Sequence, residues 1–560
     1  MCDKVCAECQ EPADLNCSGC RMVSYCGKEH QKKHWKQHKS LCRPFIIEQD
    51  EAIGKCLIAT RDLNPGDLIL TEHPIVSGPT PHMVEEGPVP CPGCYRLIVG
   101  EESPRCPNCD FPVCDTRCPG LQDMEHHGHE CMILALRDIS AINGLHDFYR
   151  QDTLLSLRCL LLQKRHPKKY AQLMDMEAHL ERRGKGTDVY NEVQDRIFNY
   201  LDDNFFRPLK CMEMKTGKSI LPDTSKETIH KICGIIDVNA LEINQYSEMS
   251  VLYPTAYLME HSCVPNTVHT FDLVSQGYKI NIRAALPIKK GDHISTMYTH
   301  ALWGTQGRRE HLRETKYFSC SCKRCSDPSE LGTNFSSLLC MGSNEEPCGG
   351  LQSPINPLDY NTEWACNKCQ IRLTNGEVSY LVNRIGEEVD NVQLSSPTVR
   401  ELDALLTKMA TFLHPNHYHC YAVKHSLIQL YGYQQGYMPS QITDETLNRK
   451  ANMCRELLEV TKKLDPGNSR LPLYSGVILH ELHLANMILV KRKWDLGMKT
   501  RVKGMLAMLQ ECNQSLAEAK EVLKNEFTTP AGEKLNKVIA TSTHEFNRWL
   551  ERNKIDLNKN

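Results

Sequence analysis

The cysteine spacing constrains this chain more than any other feature. Cys6-x2-Cys9, Cys17-x2-Cys20, Cys26-x3-His30 and His38-x3-Cys42 crowd into one short stretch. Ligands two or three residues apart let one turn present both donors to a single tetrahedral ion. Eight donors imply two zinc ions. The rhythm returns at Cys91-x2-Cys94, Cys106-x2-Cys109, Cys114-x3-Cys118 and His127-x3-Cys131. A third group, Cys320-x-Cys322-x2-Cys325, supplies only three ligands, so the fourth must come from far away in sequence. A fourth group, Cys340, Cys348 and Cys366-x2-Cys369, is spaced like a zinc ribbon.

The opening MCDKVCAECQ lacks the apolar segment of a secretion signal. No uninterrupted apolar run reaches the roughly 18 residues of a membrane span. Both features predict a reduced chain with no membrane partner, in which clustered cysteines hold metal rather than disulfides. Cys2, Cys56, Cys159, Cys211, Cys233, Cys420, Cys454 and Cys512 stand apart, mostly among apolar residues, and are expected in the core.

A length of 560 residues suggests roughly three to five domains. Hydrophobic residues at 41% and charged residues at 24% argue against wholesale disorder. The net charge of -3 gives no global pull toward nucleic acid or anionic membrane. Between residues 53 and 77, two β-rich runs flank the turn Asn64-Pro65-Gly66-Asp67. Residues 132–232 carry helical periodicity, as at Leu154, Leu157, Leu161 and Leu162. Strand patterns resume at 238–243, 278–285 and 294–298. From about residue 376, helical faces dominate: Leu447, Ala451, Cys454 and Leu458; Ile478, Leu482, Ala485 and Leu489; Cys512, Leu516, Ala519 and Leu523. They read as stacked hairpins of TPR type. His480-Glu481-Leu482-His483 lacks the histidine spacing of a zinc protease and is expected to be structural.

Tyr25-Cys26, Gln31, His34-Trp35 and His38-x3-Cys42 resemble the MYND zinc finger. That resemblance places Cys6, Cys9, Cys26 and His30 on one zinc, and Cys17, Cys20, His38 and Cys42 on the other. His30 stands where the family usually has cysteine. Residues 91–131 look like a second, degenerate MYND finger. His261-Ser262-Cys263-Val264-Pro265-Asn266, the run from Arg283-Ala284 through Gly291-Asp292 to Tyr298, and Tyr317–Cys325 resemble a SET core with its post-SET cysteines. A MYND-type finger inserted after the first SET strands resembles the SMYD family of protein lysine methyltransferases. The extra N-terminal finger, the ribbon and the long helical tail are most similar to its arthropod branch.

The resemblance implies an α+β multidomain zinc protein: a β-rich SET core with an inserted MYND-type finger and a helical insert, an extra N-terminal MYND, and a C-terminal TPR-like α-helical domain. The expected units are an N-terminal MYND finger (1–45), the first SET part (46–90), the second finger (91–131), a helical SET insert (132–235), the SET core (236–305), the post-SET segment (306–328), a zinc-ribbon-like segment (329–380) and a TPR-like domain (381–560). It implies S-adenosylmethionine-dependent transfer of methyl groups to histone or non-histone lysines, with Tyr298 as the catalytic residue. Gly54, Lys55, Asn239, Glu260, His261 and Phe318 would contact the cofactor. Cys263 would complete the post-SET zinc with Cys320, Cys322 and Cys325. About six zinc ions are then expected.

Tyr25, Gln31 and Trp35 would grip proline-containing peptides, recruiting corepressor complexes in transcriptional regulation on chromatin. Direct nucleic-acid binding is not expected, although the first finger is lysine-rich. The expected location is nucleus and cytoplasm. Three positions depart from the family pattern: Cys56 replaces a glycine, Glu260 an asparagine, and Lys316 a frequent tyrosine. They motivate the alternative of a catalytically weak or inactive SET and MYND scaffold acting as an adaptor or corepressor.

Overall fold

The computed structural model describes residues 4–17, 23–42, 44–51, 53–80, 88–98, 103–137, 153–244, 248–272, 277–343, 347–497, 503–527 and 529–557. Cys2 and the expected ligand Cys20 lie outside these ranges. The first finger pairs the strands Leu15–Asn16 and Ser24–Tyr25 beside the helix Lys28–Cys42. Four-residue spacing puts His30, His34, His38 and Cys42 on one face of that helix.

The β-rich core is a set of small sheets. Strands Phe45–Asp50 and Gly54–Ala59 form a hairpin. Its turn needs Gly54, whose φ is +78°. The strand Ile280–Ala284 runs between Leu68–Glu72 and Thr267–Phe271, and Glu248–Leu252 runs between Val76–Pro79 and Leu241–Asn244. A short parallel pair, Glu260–His261 with Ser295–Thr296, completes the core. Their inward faces, including Leu57, Ile69, Ile243, Val251, Ile280 and Ile282, form one buried cluster.

The helical insert packs onto this core through the helix Thr153–Arg165. Gly78 allows that approach, because a Cβ there would lie 2.9 Å from the Leu155 Cβ. The strand expected to begin at residue 238 begins later. The helix Lys226–Asn239 runs through that point, capped by Ser225 and followed by the strand Leu241–Asn244. Its buried Ile229, Ile232, Cys233 and Ile236 carry the helical period that overrides the local strand propensity of Val238.

The ribbon segment is a four-stranded sheet from Leu338–Leu339 to Arg372–Leu373. The C-terminal region stacks seven helices among the described residues, from Asn375–Leu394 to Pro530–Arg552. The first two open with complete capping boxes, Thr374 with Glu377 and Thr398 with Glu401. Every residue named above for the three periodic faces lies in one buried core. The helix Pro472–Asp495 has the length and apolarity to cross a bilayer, but 72% of its most apolar window is buried within the fold. It is the central helix of this domain. Its Glu481 pairs with Lys450 at 2.5 Å and its His480 with Ser542 at 2.9 Å, which fits the structural reading of that motif. Of the seven described cysteines expected in the core, Cys211 is the exception: it is exposed.

Candidate active site and zinc centres

Five of the expected donor quartets close up in space among the described residues. They are Cys6, Cys9, Cys26 and His30; Cys91, Cys94, Cys114 and Cys118; Cys106, Cys109, His127 and Cys131; Cys263, Cys320, Cys322 and Cys325; and Cys340, Cys348, Cys366 and Cys369, each with its donor atoms within 4.8 Å of one another. Two thiolates on one tetrahedral zinc, at about 2.3 Å each, stand roughly 3.8 Å apart. The sulfurs of Cys263 and Cys325 are 3.5 Å apart and those of Cys106 and Cys131 are 3.7 Å apart, far beyond the length of a disulfide. Cys17 and Cys42 approach to 3.3 Å, and His38, on the same helix face as Cys42, is buried; the remaining expected donor, Cys20, lies outside the described residues. The second finger interleaves its ligands as the first does. Cys263 joins the post-SET triplet across 62 residues of sequence.

The zinc ligands have outer partners. His127 faces Cys109 through Nε2 at 3.2 Å and Glu130 through Nδ1 at 3.1 Å. Glu130 is fully buried and accepts two bonds from Arg158, at 2.7 and 2.8 Å. Burial alone would raise the Glu130 carboxyl, but Arg158 and then His127 bring it down to about 2. Arg158 also donates to the Pro92 and Ser77 carbonyls and to the Tyr95 hydroxyl. Arg158 of the insert helix thus ties the second finger and the strand Val76–Pro79 together. At the post-SET centre, Arg308 Nε donates to the Cys263 sulfur at 3.1 Å. Arg308 and Arg324, both fully buried, share Glu330 at 2.9 and 3.0 Å.

The expected catalytic elements converge beside that centre. The Tyr298 backbone N–H donates to His261 Nδ1 at 3.0 Å, and its hydroxyl donates to the Met259 carbonyl. The ring centroids of His261 and Tyr298 are 5.3 Å apart, those of His261 and Phe318 6.0 Å, and those of Tyr298 and Phe318 6.5 Å. Burial, reinforced by the Glu260 charge, pushes the Tyr298 phenol up, so it stays a protonated donor at neutral pH. Phe318 keeps 37% of its surface exposed, so an apolar face stands open beside His261.

Two of the remaining expected cofactor contacts, Lys55 and Asn239, meet one loop. Lys55 Nζ lies 2.7 Å from Asp175, and Asn239 Nδ2 donates to the Glu177 carbonyl at 2.8 Å. Gly54 has nothing within 4 Å of where a Cβ would stand, which leaves open space at the hairpin turn. Glu260 turns to His293, 2.7 Å away. Its carboxylate therefore has a partner of its own. Lys316 also has an assignment: its Nζ donates to the Asp237 and Val238 carbonyls, at 2.7 and 2.9 Å. It satisfies the C-terminal end of the helix carrying Asn239 and holds the segment leading to Phe318 there. Cys56 is 1% exposed, and its side chain lies in the strand's buried face.

On the first finger, Trp35 is exposed and Gln31 half-buried, whereas Tyr25 is fully buried, with its hydroxyl 3.0 Å from His34. Of the three residues expected to grip a peptide, Gln31 and Trp35 reach the surface and Tyr25 does not. Sequence reasoning missed Glu130, Arg158, Arg308, Arg324, Glu330 and His293. Arg158 had a readable signal, a lone cation inside the run Leu154-Leu155-Ser156-Leu157-Arg158-Cys159-Leu160-Leu161-Leu162.

Residues 6–42 match the MYND finger family, and residues 54–299 match the SET domain family. Two isoforms of the SET domain-containing protein SmydA-8 of Drosophila melanogaster are similar. Isoform A is 28% identical over 58% of this chain and 65% of its own length. Isoform B is 30% identical over 57% of this chain and 64% of its own length. The matches thus span slightly under two thirds of those relatives. The N-lysine methyltransferase SMYD2 of Rattus norvegicus is 26% identical over 49% of this chain and 58% of its own length. With a MYND finger, a SET domain and relatives of both kinds, the chain is similar to the SMYD family of SET and MYND domain proteins.

Proposed function

We propose that this protein is an S-adenosylmethionine-dependent protein lysine N-methyltransferase acting on histone or other protein lysines. The convergence of Tyr298, His261 and Phe318 on one another, beside the Cys263 quartet, is the observation that carries this reading. Gly54, Lys55, Asn239, His261 and Phe318 would hold S-adenosylmethionine, which when bound supplies an electrophilic methyl group on a sulfonium. The protein's part is orientation, the main contribution available to a displacement with no covalent enzyme intermediate.

Tyr298 keeps its proton and donates it to the Met259 carbonyl, leaving oxygen lone pairs to accept from an incoming amine. A lysine amine, with a reference pKa of about 10.4, loses its proton more readily once desolvated against these aromatic rings. Because Glu260 is engaged by His293 and Lys316 by helix carbonyls, neither departure puts an unpartnered charge into this cluster.

The six-zinc count, recruitment of proline-containing partners by Gln31 and Trp35 in transcriptional regulation, and residence in nucleus and cytoplasm belong to the same proposal. The adaptor reading draws on the exposed Trp35 and needs no transfer activity. Calorimetric titration of the zinc-loaded protein with S-adenosylmethionine separates the two. Saturable binding weakened by His261→Ala supports the enzyme, and no heat of binding leaves the adaptor.

A further inference from the structure

The helical domain reaches into the candidate active site through one loop, between the helices Asp444–Leu464 and Pro472–Asp495. Asp465, 2% exposed, fixes the shape of that loop. Its carboxylate accepts the backbone N–H groups of Ser469, Arg470 and Leu471 at 3.0, 2.8 and 2.7 Å. The loop lies hard against the SET core, since a Cβ on Gly467 would stand 2.9 Å from the Ala285 Cβ. Leu471 packs with Met297 and Leu312 around the Cys263 quartet, and Tyr298 packs against the same cluster.

Arg470 completes the contact. Its Nη2 donates to the Thr296 hydroxyl at 2.5 Å and to the Met297 carbonyl at 2.8 Å. These are the two residues that precede Tyr298. Thr296 is the register partner of His261, and its carbonyl accepts from the Ser262 N–H at 2.8 Å. The strand pair carrying this register is only two residues long on each side. So short a ladder does not fix a side chain's position alone, and isolated two-stranded pairs are marginal in water. The guanidinium Nε is buried with no hydrogen-bond partner among the described residues, so Nη2 carries the Arg470 contact to the strand.

We propose that Arg470 is a positioning residue: through it the C-terminal helical domain holds Thr296, Met297 and Tyr298 in register with His261, so that the domain is part of the catalytic apparatus. This rests on the methyltransferase reading. The test compares full-length, zinc-loaded wild type with R470M and R470K, in methyl transfer and in hydrogen exchange. R470M is expected to lower kcat roughly 10–100-fold while the KM for S-adenosylmethionine stays within about 2-fold. R470K recovers most of the rate, because an ammonium still reaches both acceptors. Backbone exchange at 259–263 and 295–299 speeds up in R470M and returns toward wild type in R470K.

Unchanged kcat, or an equal rise in exchange throughout the SET core, would overturn the proposal by showing a merely structural contact. If R470M fails to fold, R470K decides: with both activity and local exchange far from wild type, the two-acceptor tether is wrong. If wild type transfers no methyl group, the methyltransferase reading fails separately. The exchange comparison then still tests the tether: local acceleration supports it, and no acceleration overturns it.

Discussion

Replacing Glu130 with Gln should loosen the second finger and its zinc together. Glu130 is completely buried, and the Arg158 side chain is 4% exposed. Removing one member of such a pair leaves a buried charge uncompensated, at a cost of about 3–5 kcal/mol. Gln retains the shape and an acceptor oxygen, which places Glu130→Gln near the lower end, at about 3 kcal/mol. The substitution also weakens the hold on His127 Nδ1, now at 3.1 Å, because a neutral amide oxygen is a poorer acceptor than a carboxylate. Loss of such an outer partner typically weakens a metal site 10–100-fold, or about 1.4–2.7 kcal/mol.

Two assays separate the effects: urea unfolding followed by circular dichroism, and zinc release to a chromophoric chelator. A double variant, E130Q with R158M, removes both charges. It should regain part of the lost stability, short of wild type because the Ser77 and Pro92 carbonyls and the Tyr95 hydroxyl lose their donor. Its zinc should still leave faster than in wild type, since His127 keeps only the weaker amide acceptor. If E130Q unfolds within about 1 kcal/mol of wild type and releases zinc at the same rate, the shared-carboxylate account is wrong.

Three further outcomes are expected. Glu330 should lose its contribution in acid. Burial raises its carboxyl, but Arg308 and Arg324 bring it below the ordinary 4.5, so the ion form is favoured by folding. Its contribution is complete above about pH 4.5 and fades as pH falls toward the folded value; the stability gap between wild type and Glu330→Gln should be flat from pH 8 to 5 and narrow below about 4.5. A gap that widens in acid would reverse the sign. Trp35→Ala should abolish capture of a proline-containing peptide array without changing the unfolding midpoint by more than about 1 °C, because the ring is 41% exposed; retained capture would move the interaction surface elsewhere. Stripping zinc with a strong chelator should unfold both fingers and the SET closure, read as lost near-ultraviolet dichroism, and an unchanged spectrum would contradict a structural role for the metal.

The zinc centres were legible because ligand spacing is local. Cys6-x2-Cys9 and Cys26-x3-His30 announce their geometry within a turn. Even the distant Cys263 was found, but only because its HSCxPN neighbourhood resembles a known motif. The helical tail was legible from its period, and its three predicted faces share one core. What escaped was the set of buried charges. Glu130, Arg308 and Glu330 look like ordinary surface residues in sequence, and only tertiary packing shows that each is enclosed and bonded. The consequences of Glu260 and Lys316 were equally hidden, since they depend on where His293 and the end of the Asn239 helix come to rest. The strand expected from residue 238 failed because a helical face set by Ile229, Ile232, Cys233 and Ile236 outweighs one β-branched residue.

The central claim is that Tyr298 serves methyl transfer, and the most direct measurement is transfer of a labelled methyl group from S-adenosylmethionine. Zinc-loaded wild type and Tyr298→Phe would be compared on a histone and lysate panel. The account predicts labelled lysine with wild type, a fall of roughly 10²–10⁴-fold in Tyr298→Phe, and equal cofactor binding by both. Labelling that is absent from wild type, or equal in the two proteins, would contradict it.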